Sequence, residues 1–243
     1  MTERRPDTIE QELTADLEAG IAVDRATGRG PDTGRLLAFS DGVFAIAITL
    51  LALNINIPSL SDNAGTATQI QSILGLREPV MVYVQSFIIV GNYWVGHHRM
   101  FQLIRAWDMP LVWLNLLFLM LVAFIPVPSA VMIEHASALP AIIFFLSTAI
   151  LTGLLDLAIW LYAVKQRLLR RPVSRRVVRY MTTRSALPVV LFALGIAAAF
   201  VSTQLVWVIV IATVVSSTGL GPLYDRFSRR RIGAAQRSTS LPD

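Results

Sequence analysis

No cysteine occurs in the 243 residues, which removes disulfides, thiolate metal sites and cysteine nucleophiles from consideration. Charge is scarce as well. Only 15% of residues are charged while 54% are hydrophobic, and the mean hydropathy is +0.59. A soluble domain of this length needs more charge to cover its surface, so the composition is that of a membrane protein. Phosphate-cradling glycine loops, HExxH, GxSxG and paired reactive carboxylates are missing. No catalytic residue is expected, and three histidines do not make a metal site. No span carries arginine at every third position, which argues against a voltage sensor, and no Thr-Val-Gly-Tyr-Gly loop of the carbonyl-filter kind is present. The first thirty residues lack a secretory-signal pattern, so the first span is expected to direct insertion itself.

What is present is a series of long apolar runs. A bilayer core takes roughly 20 apolar helical residues to cross. Six segments approach or meet that length: Leu36 to Ile57, Leu76 to His97, Leu111 to Met132, Leu139 to Val164, Ser185 to Ser202, and Leu205 to Leu220. The expected fold is an all-α integral membrane protein of six transmembrane helices. Residues 1–34 read as a mostly disordered cytoplasmic tail, residues 35–224 as the transmembrane domain, and residues 225–243 as a basic cytoplasmic tail.

Basic residues test the topology. The N-terminal segment through Arg35 carries five, the connection after span two carries two (Arg99 and Arg105), the connection after span four carries eight, and the C-terminal tail carries five. Those segments are separated by even numbers of spans, and Arg77 alone falls on the other side. Under the positive-inside rule both termini are cytoplasmic. The net charge of +5 thus follows from topology and anionic lipid, and a nucleic-acid partner is not expected. No internal repeat is evident, so a six-span chain of this kind would oligomerise to enclose a central path.

Span one reads as two surfaces. Phe39, Val43, Ile46, Leu50, Leu53 and Ile57 recur at spacings of three or four and form one large apolar stripe, with Thr49 at its margin. Asp41 lies about 140° from Ile46, beside Ala45, Ile48 and Ala52. A carboxylate in a span is tolerated when it faces protein or water and has donors, and small neighbours such as Gly42 and Ala45 permit close helix contact. Asp41 is therefore expected to hold helices together, with Arg35, His97 or His98 as donors; the plainer reading makes it a solvated boundary marker. An Ile/Leu stripe is packing as readily as it is a gate, and a threonine in a membrane helix commonly bonds its own backbone.

The run RLLAFSD, Arg35 to Asp41, resembles the Arg-x-x-x-Phe-Ser-Asp signature of the potassium-channel family named after lysosomal transmembrane protein 175. WVGHHR, Trp94 to Arg99, is similar to that family's Trp-x-x-His element, and NLLFLMLVAFIPVP, Asn115 to Pro128, to its third-span element. The resemblance covers about Arg35 to Leu220. It implies a bacterial homotetramer in the plasma (inner) membrane, with span one of each subunit lining a pore. It implies that Ile46, Leu50 and Leu53 form the constriction and that Thr49 is a hydroxyl layer preferring potassium. It also implies that Arg35, Phe39, Ser40, Asp41, Trp94, His97 and Asn115 form the structural motif network.

The resulting expectation is a potassium-permeable, weakly selective cation channel with no cofactor, K+ as permeant ion and lipid as surroundings. The alternative is a proton-coupled secondary transporter using Asp41, His97 and Asp156 as a relay; an integral-membrane enzyme or a non-conducting scaffold ranks lower, because the polar positions are sparse and dispersed. Asn115 is expected to be buried and hydrogen-bonded. Asp156, a second intramembrane acid, is a functional candidate with no partner evident in the sequence. His97 is also a candidate pH sensor. Asn54 and Asn56 stand at the outer end as cation-greeting amides or helix caps, and Arg77, Glu78 and His135 fall at the outer surface.

Overall fold

The computed structural model describes residues 29–30, 33–58, 65–169 and 173–213. Among them the protein is helical apart from a two-residue strand pair and an isolated bridge. The elements are β1 (Arg29–Gly30), α1 (Gly34–Leu50), a 3-10 turn (Leu51–Asn54), α2 (Thr66–Leu74), α3 (Arg77–Leu103), β2 (Trp107–Asp108), α4 (Met109–Phe124), α5 (Pro126–Glu134), α6 (Leu139–Lys165), α7 (Arg175–Ala199) and the short apolar helix α8 (Thr203–Thr213). Five helical stretches are long and apolar enough to cross a membrane: Gly34–Asn54, Thr66–Leu103, Met109–Glu134, Leu139–Lys165 and Arg175–Ala199. The expected sixth span starts in α8, and its remainder lies outside the described residues, as do most of the expected N-terminal tail and all of the expected C-terminal tail, residues 225–243.

Several boundaries differ from the sequence reading, span two among them, since α3 runs on past His97 to Leu103 and takes in Arg99. Span one stops being α-helical at Leu50, tightens into the 3-10 turn and turns extended at Ile55, so Ile57 is not on a continuous helix. Residues three apart eclipse in a 3-10 turn, which keeps Leu53 in line with Leu50. The third span divides into α4 and α5 at Ile125, where Pro126 and Pro128 supply no backbone N–H; Ile125 keeps helical angles and still donates to Leu121 O, so the two pieces continue one another. Span five begins at Arg175 rather than Ser185, because Ser174 caps the helix by accepting from Val177 N. Arg175, Arg176, Arg179 and Arg184, assigned above to the connection, therefore belong to α7.

The core forms where α6 packs most extensively against α7 and also against α4, while α1 lies on α3 and α4. Phe44, Val90, Phe118, Val122, Ile159 and Trp160 are among its buried side chains. One end of the bundle is knitted by its connections. β1 pairs antiparallel with β2, Ile104 bridges to Leu169, and Arg105 N donates to Leu168 O at 2.8 Å. Asp108 caps α4 by accepting from Leu111 N at 3.0 Å and also accepts from Tyr162 OH of α6 at 2.8 Å. The N-terminal segment, the connection after α3 and the connection after α6 thus meet at the same end.

Candidate functional site

Helix α1 presents three faces. Ser40, Phe44, Ala47 and Leu51 are buried, at spacings of four, three and four that keep them on one side. On the 100° rule the stripe of Phe39, Ile46 and Leu50 is centred about 110° from that buried face in one direction, and Asp41 about 90° in the other. Phe39, Ile46, Leu50 and Leu53 are exposed on the single chain, Ile46 at 62% and Leu53 at 78%. Thr49 is also exposed, and its hydroxyl donates to Ile46 O at 2.8 Å. Donating that proton inward leaves the oxygen lone pairs free to accept from the open side.

The residue that points from α1 into the bundle is Ser40, not Asp41. Asn115 Nδ2 of α4 donates to Ser40 Oγ at 3.1 Å, and Ser40 Oγ donates to Leu36 O at 2.8 Å. His97 Nε2 of α3 donates to Asn115 Oδ1 at 2.8 Å. Three helices are joined by neutral groups in an unbroken sequence, and Ser40, His97 and Asn115 are each 0% exposed. The imidazole is stacked between Phe101 and Phe118, at ring-centroid distances of 4.3 and 5.4 Å, with Phe44 at 5.7 Å. Its Nδ1 has no hydrogen-bond partner, consistent with rings on both sides.

Asp41 has a different partner from those expected. Its Oδ1 accepts from Trp94 Nε1 at 2.8 Å, on the flank where both residues retain access to the surroundings. His97 is committed to Asn115, and His98 Nε2 accepts from Gln102 Nε2 at 3.0 Å while its ring lies 5.6 Å from that of Trp94. Arg35 and Phe39 are exposed. The seven motif residues therefore divide into a buried trio, Ser40, Asn115 and His97; a flank pair, Asp41 and Trp94; and two exposed positions. At the far end Asn54 Nδ2 donates to Pro126 O at 2.8 Å, tying the 3-10 turn to the start of α5, so this amide fastens helices.

Asp156, left without a partner above, has one. Ser185 Oγ of α7 donates to its Oδ2 at 2.7 Å, and the neighbouring Arg184 is only 7% exposed. The two charges attract one another. Arg184 sits in a basic run that reads as a connector; the signal that places it inside a helix is Ser174, which caps α7 ten residues earlier. Among the described residues no group of three or more His, Cys, Asp or Glu is arranged to hold a metal.

These features define an integral membrane protein of the all-α class whose polar side chains fasten helices together. A family profile described as the endosomal/lysosomal potassium channel TMEM175 matches residues 35–126. A potassium channel of Streptomyces collinus is 37% identical over 181 residues, covering 72% of this chain and 85% of that protein. One of Chamaesiphon minutus is 34% identical over 178 residues, covering 72% and 87%. The human endosomal/lysosomal proton channel TMEM175 is 30% identical over 158 residues, which is 65% of this chain and 31% of that longer protein. The crystal structure of a lysosomal potassium-selective channel TMEM175 homolog from Chamaesiphon minutus superposes with a TM-score of 0.68 at 30% identity, covering 76% of this chain and 96% of that one. The chain belongs to the TMEM175 family, a family of ion channels and not of enzymes.

Proposed function

We propose that the protein is a potassium-permeable, weakly selective cation channel of the bacterial plasma membrane, assembled as a homotetramer around its first span, with its termini in the cytoplasm. The observation that carries this reading is the stripe on α1. Ile46, Leu50 and Leu53 are bare on the single chain although the opposite side of the same helix is fastened to α3 and α4 through Ser40 and Asn115. Two cavities among the described residues, of about 30 and 10 Å³, are too small for a hydrated ion. A path between copies, lined by the exposed stripe, fits the reading.

Four Ile46 side chains around an axis close such a path by excluding water, because an ion in a dry constriction loses solvation that methyl groups cannot replace. The Thr49 oxygen, one turn further along, offers each subunit's single acceptor to a cation or to its water. Four weak oxygens support modest selectivity, unlike stacked carbonyls. The relatives named as potassium channels favour this reading over a proton-coupled transporter. The relatives named as proton channels make proton passage through the same pore a second outcome to be measured.

The test is a reversal-potential measurement on the full chain in a planar bilayer, with potassium and sodium on opposite sides. A reversal potential displaced toward the potassium equilibrium value is expected; carrier-like turnover without resolvable conductance overturns the channel reading. Ile46→Asn admits water to the constriction and is expected to raise liposome potassium flux at least tenfold, which corresponds to about 1.4 kcal/mol of barrier. Unchanged flux removes Ile46 from the gate. Chemical cross-linking that stops at dimers would remove the tetramer.

A further inference from the structure

The cavity of about 30 Å³ lies on the side of α3 that faces α6 and α7, and the described residues lining it include Asn92, Tyr93, Gly96, Asp156, Arg184 and Ser185. Two of its lining residues each carry a buried polar atom with no hydrogen-bond partner in the protein, Asp156 Oδ1 and Arg184 Nε. Asp156 is 4% exposed and Arg184 7%. An unsatisfied buried charge is costly, so two of opposite sign beside one cavity require an account. Each group has one hydrogen bond to the protein through another atom. Ser185 Oγ donates to Asp156 Oδ2 at 2.7 Å, and Arg184 Nη2 donates to Asn92 O at 3.4 Å. Gly96 is what admits the guanidinium to α3, since a Cβ there would fall on Arg184 Nη1. Pro188, four residues on, cannot donate to the Arg184 carbonyl, which loosens the helix at the same level.

We infer that this cavity is an internal water site, in which one or two waters bridge Asp156 Oδ1 to Arg184 Nε and complete the link from α7 to α6 and α3. The chemistry selects the occupant. A carboxylate and a guanidinium lining one cavity carry no net charge between them, so a cation gains one partner and is repelled by the other, and an anion likewise. A neutral dipolar molecule satisfies both, accepting from Nε and donating to Oδ1. Size narrows the choice to water, because each buried water needs about 10–15 Å³ of such volume and this site holds two. The site is separate from the α1 stripe and does not depend on the pore reading above.

The direct test is a map of the full wild-type chain in lipid nanodiscs, at a resolution that shows ordered solvent. Density within hydrogen-bond distance of both Asp156 Oδ1 and Arg184 Nε is expected, and it is expected to be unchanged when chloride is replaced by bromide or potassium by rubidium. A dry cavity, direct contact of the two atoms, a lipid chain, or density that follows the heavier ion overturns the inference. Melting temperatures in detergent supply an independent check through Asp156→Asn, Arg184→Gln and the double variant. Each single change is expected to lower the melting temperature by roughly 10 °C, and the double by clearly less than the sum. Additive losses overturn the link. Should either single variant not fold, Ser185→Ala, which keeps both charges, is expected to weaken the solvent density at Oδ1 without abolishing it; a map identical to wild type counts against the network.

Discussion

Two polar clusters fasten this bundle, and they are built on opposite principles. Ser40, Asn115 and His97 join α1, α4 and α3 through neutral groups, each bonded to the next, with aromatic rings packed around the imidazole. Asp156, Arg184 and Ser185 join α6 and α7 through full charges beside a cavity that leaves two atoms without protein partners. The first leaves one atom unpaired, His97 Nδ1, on a neutral ring packed among aromatic side chains. The second leaves two, one on each charged group. A network of neutral groups has less desolvation cost to offset than a charged pair, which suits the helix that carries the proposed pore lining. A charged pair is tolerated deep in a bundle only where each charge keeps a partner.

The contrast can be broken by substitution, beginning with the largest effect. Gly96→Val drives a side chain into Arg184 Nη1 and expels the guanidinium from its site, leaving Asp156 without its counter-charge. A loss of about 3–5 kcal/mol is expected, seen as aggregation or a collapsed melting temperature in detergent. Wild-type stability would show that the charged cluster bears no load. Asn115→Leu orphans the His97 Nε2 donor and removes the donor to Ser40 Oγ, which keeps its own bond to Leu36 O, for about 1–3 kcal/mol. The neutral character of that cluster makes a sharper statement. Combining Asn115→Leu with His97→Phe removes both polar partners among Phe44, Phe101 and Phe118, and is expected to recover most of the loss, which a melting-temperature comparison of single and double variants reads directly.

Smaller effects are expected at the flank. Asp41→Ala removes one hydrogen bond to the exposed Trp94, worth about 1 kcal/mol or somewhat more for a charged acceptor. It is expected to reduce folding yield or assembly while leaving the potassium over sodium preference in place. A sharp change in that preference, with assembly intact, would move Asp41 into the pore. Gly42→Ala is the mildest case. Nothing lies within 4 Å of a Cβ there, so within one chain the change is expected to shift stability by no more than about 0.5 kcal/mol. A marked fall in assembly on native gels would place Gly42 at a contact between copies.

Much of the arrangement is legible from residue order because bilayer crossing demands long apolar runs and strict placement of basic residues. The five long helical stretches coincide with the first five expected spans, and the basic connections gather at one end. The misreadings share a cause. Arg184 was assigned to a connector because a run of arginines looks solvated, whereas Gly96 on a different helix makes room for it, a fact that no local window contains. The histidines are expected from the sequence as donors to Asp41, a place that Trp94 of the same motif takes. His97 instead faces Asn115, since a ring flanked by Phe101 and Phe118 has its edge directed elsewhere. The end of span one was placed at Ile57 because hydropathy continues, while helical geometry yields to a 3-10 turn held by Asn54 on Pro126. The orientation of the stripe about its own helix follows from periodicity; its meeting with copies of itself is a matter for the experiments above.

The strand formed by Arg29 and Gly30 finds its mate in Trp107 and Asp108, a stretch synthesised only after two further stretches of apolar chain have left the ribosome. A leader that slipped through the bilayer during biogenesis would be stranded opposite its mate, and the ladder would never close. Those few backbone bonds therefore form only when both stretches lie on the same side of the bilayer, and a label attached near Gly30 would read that side.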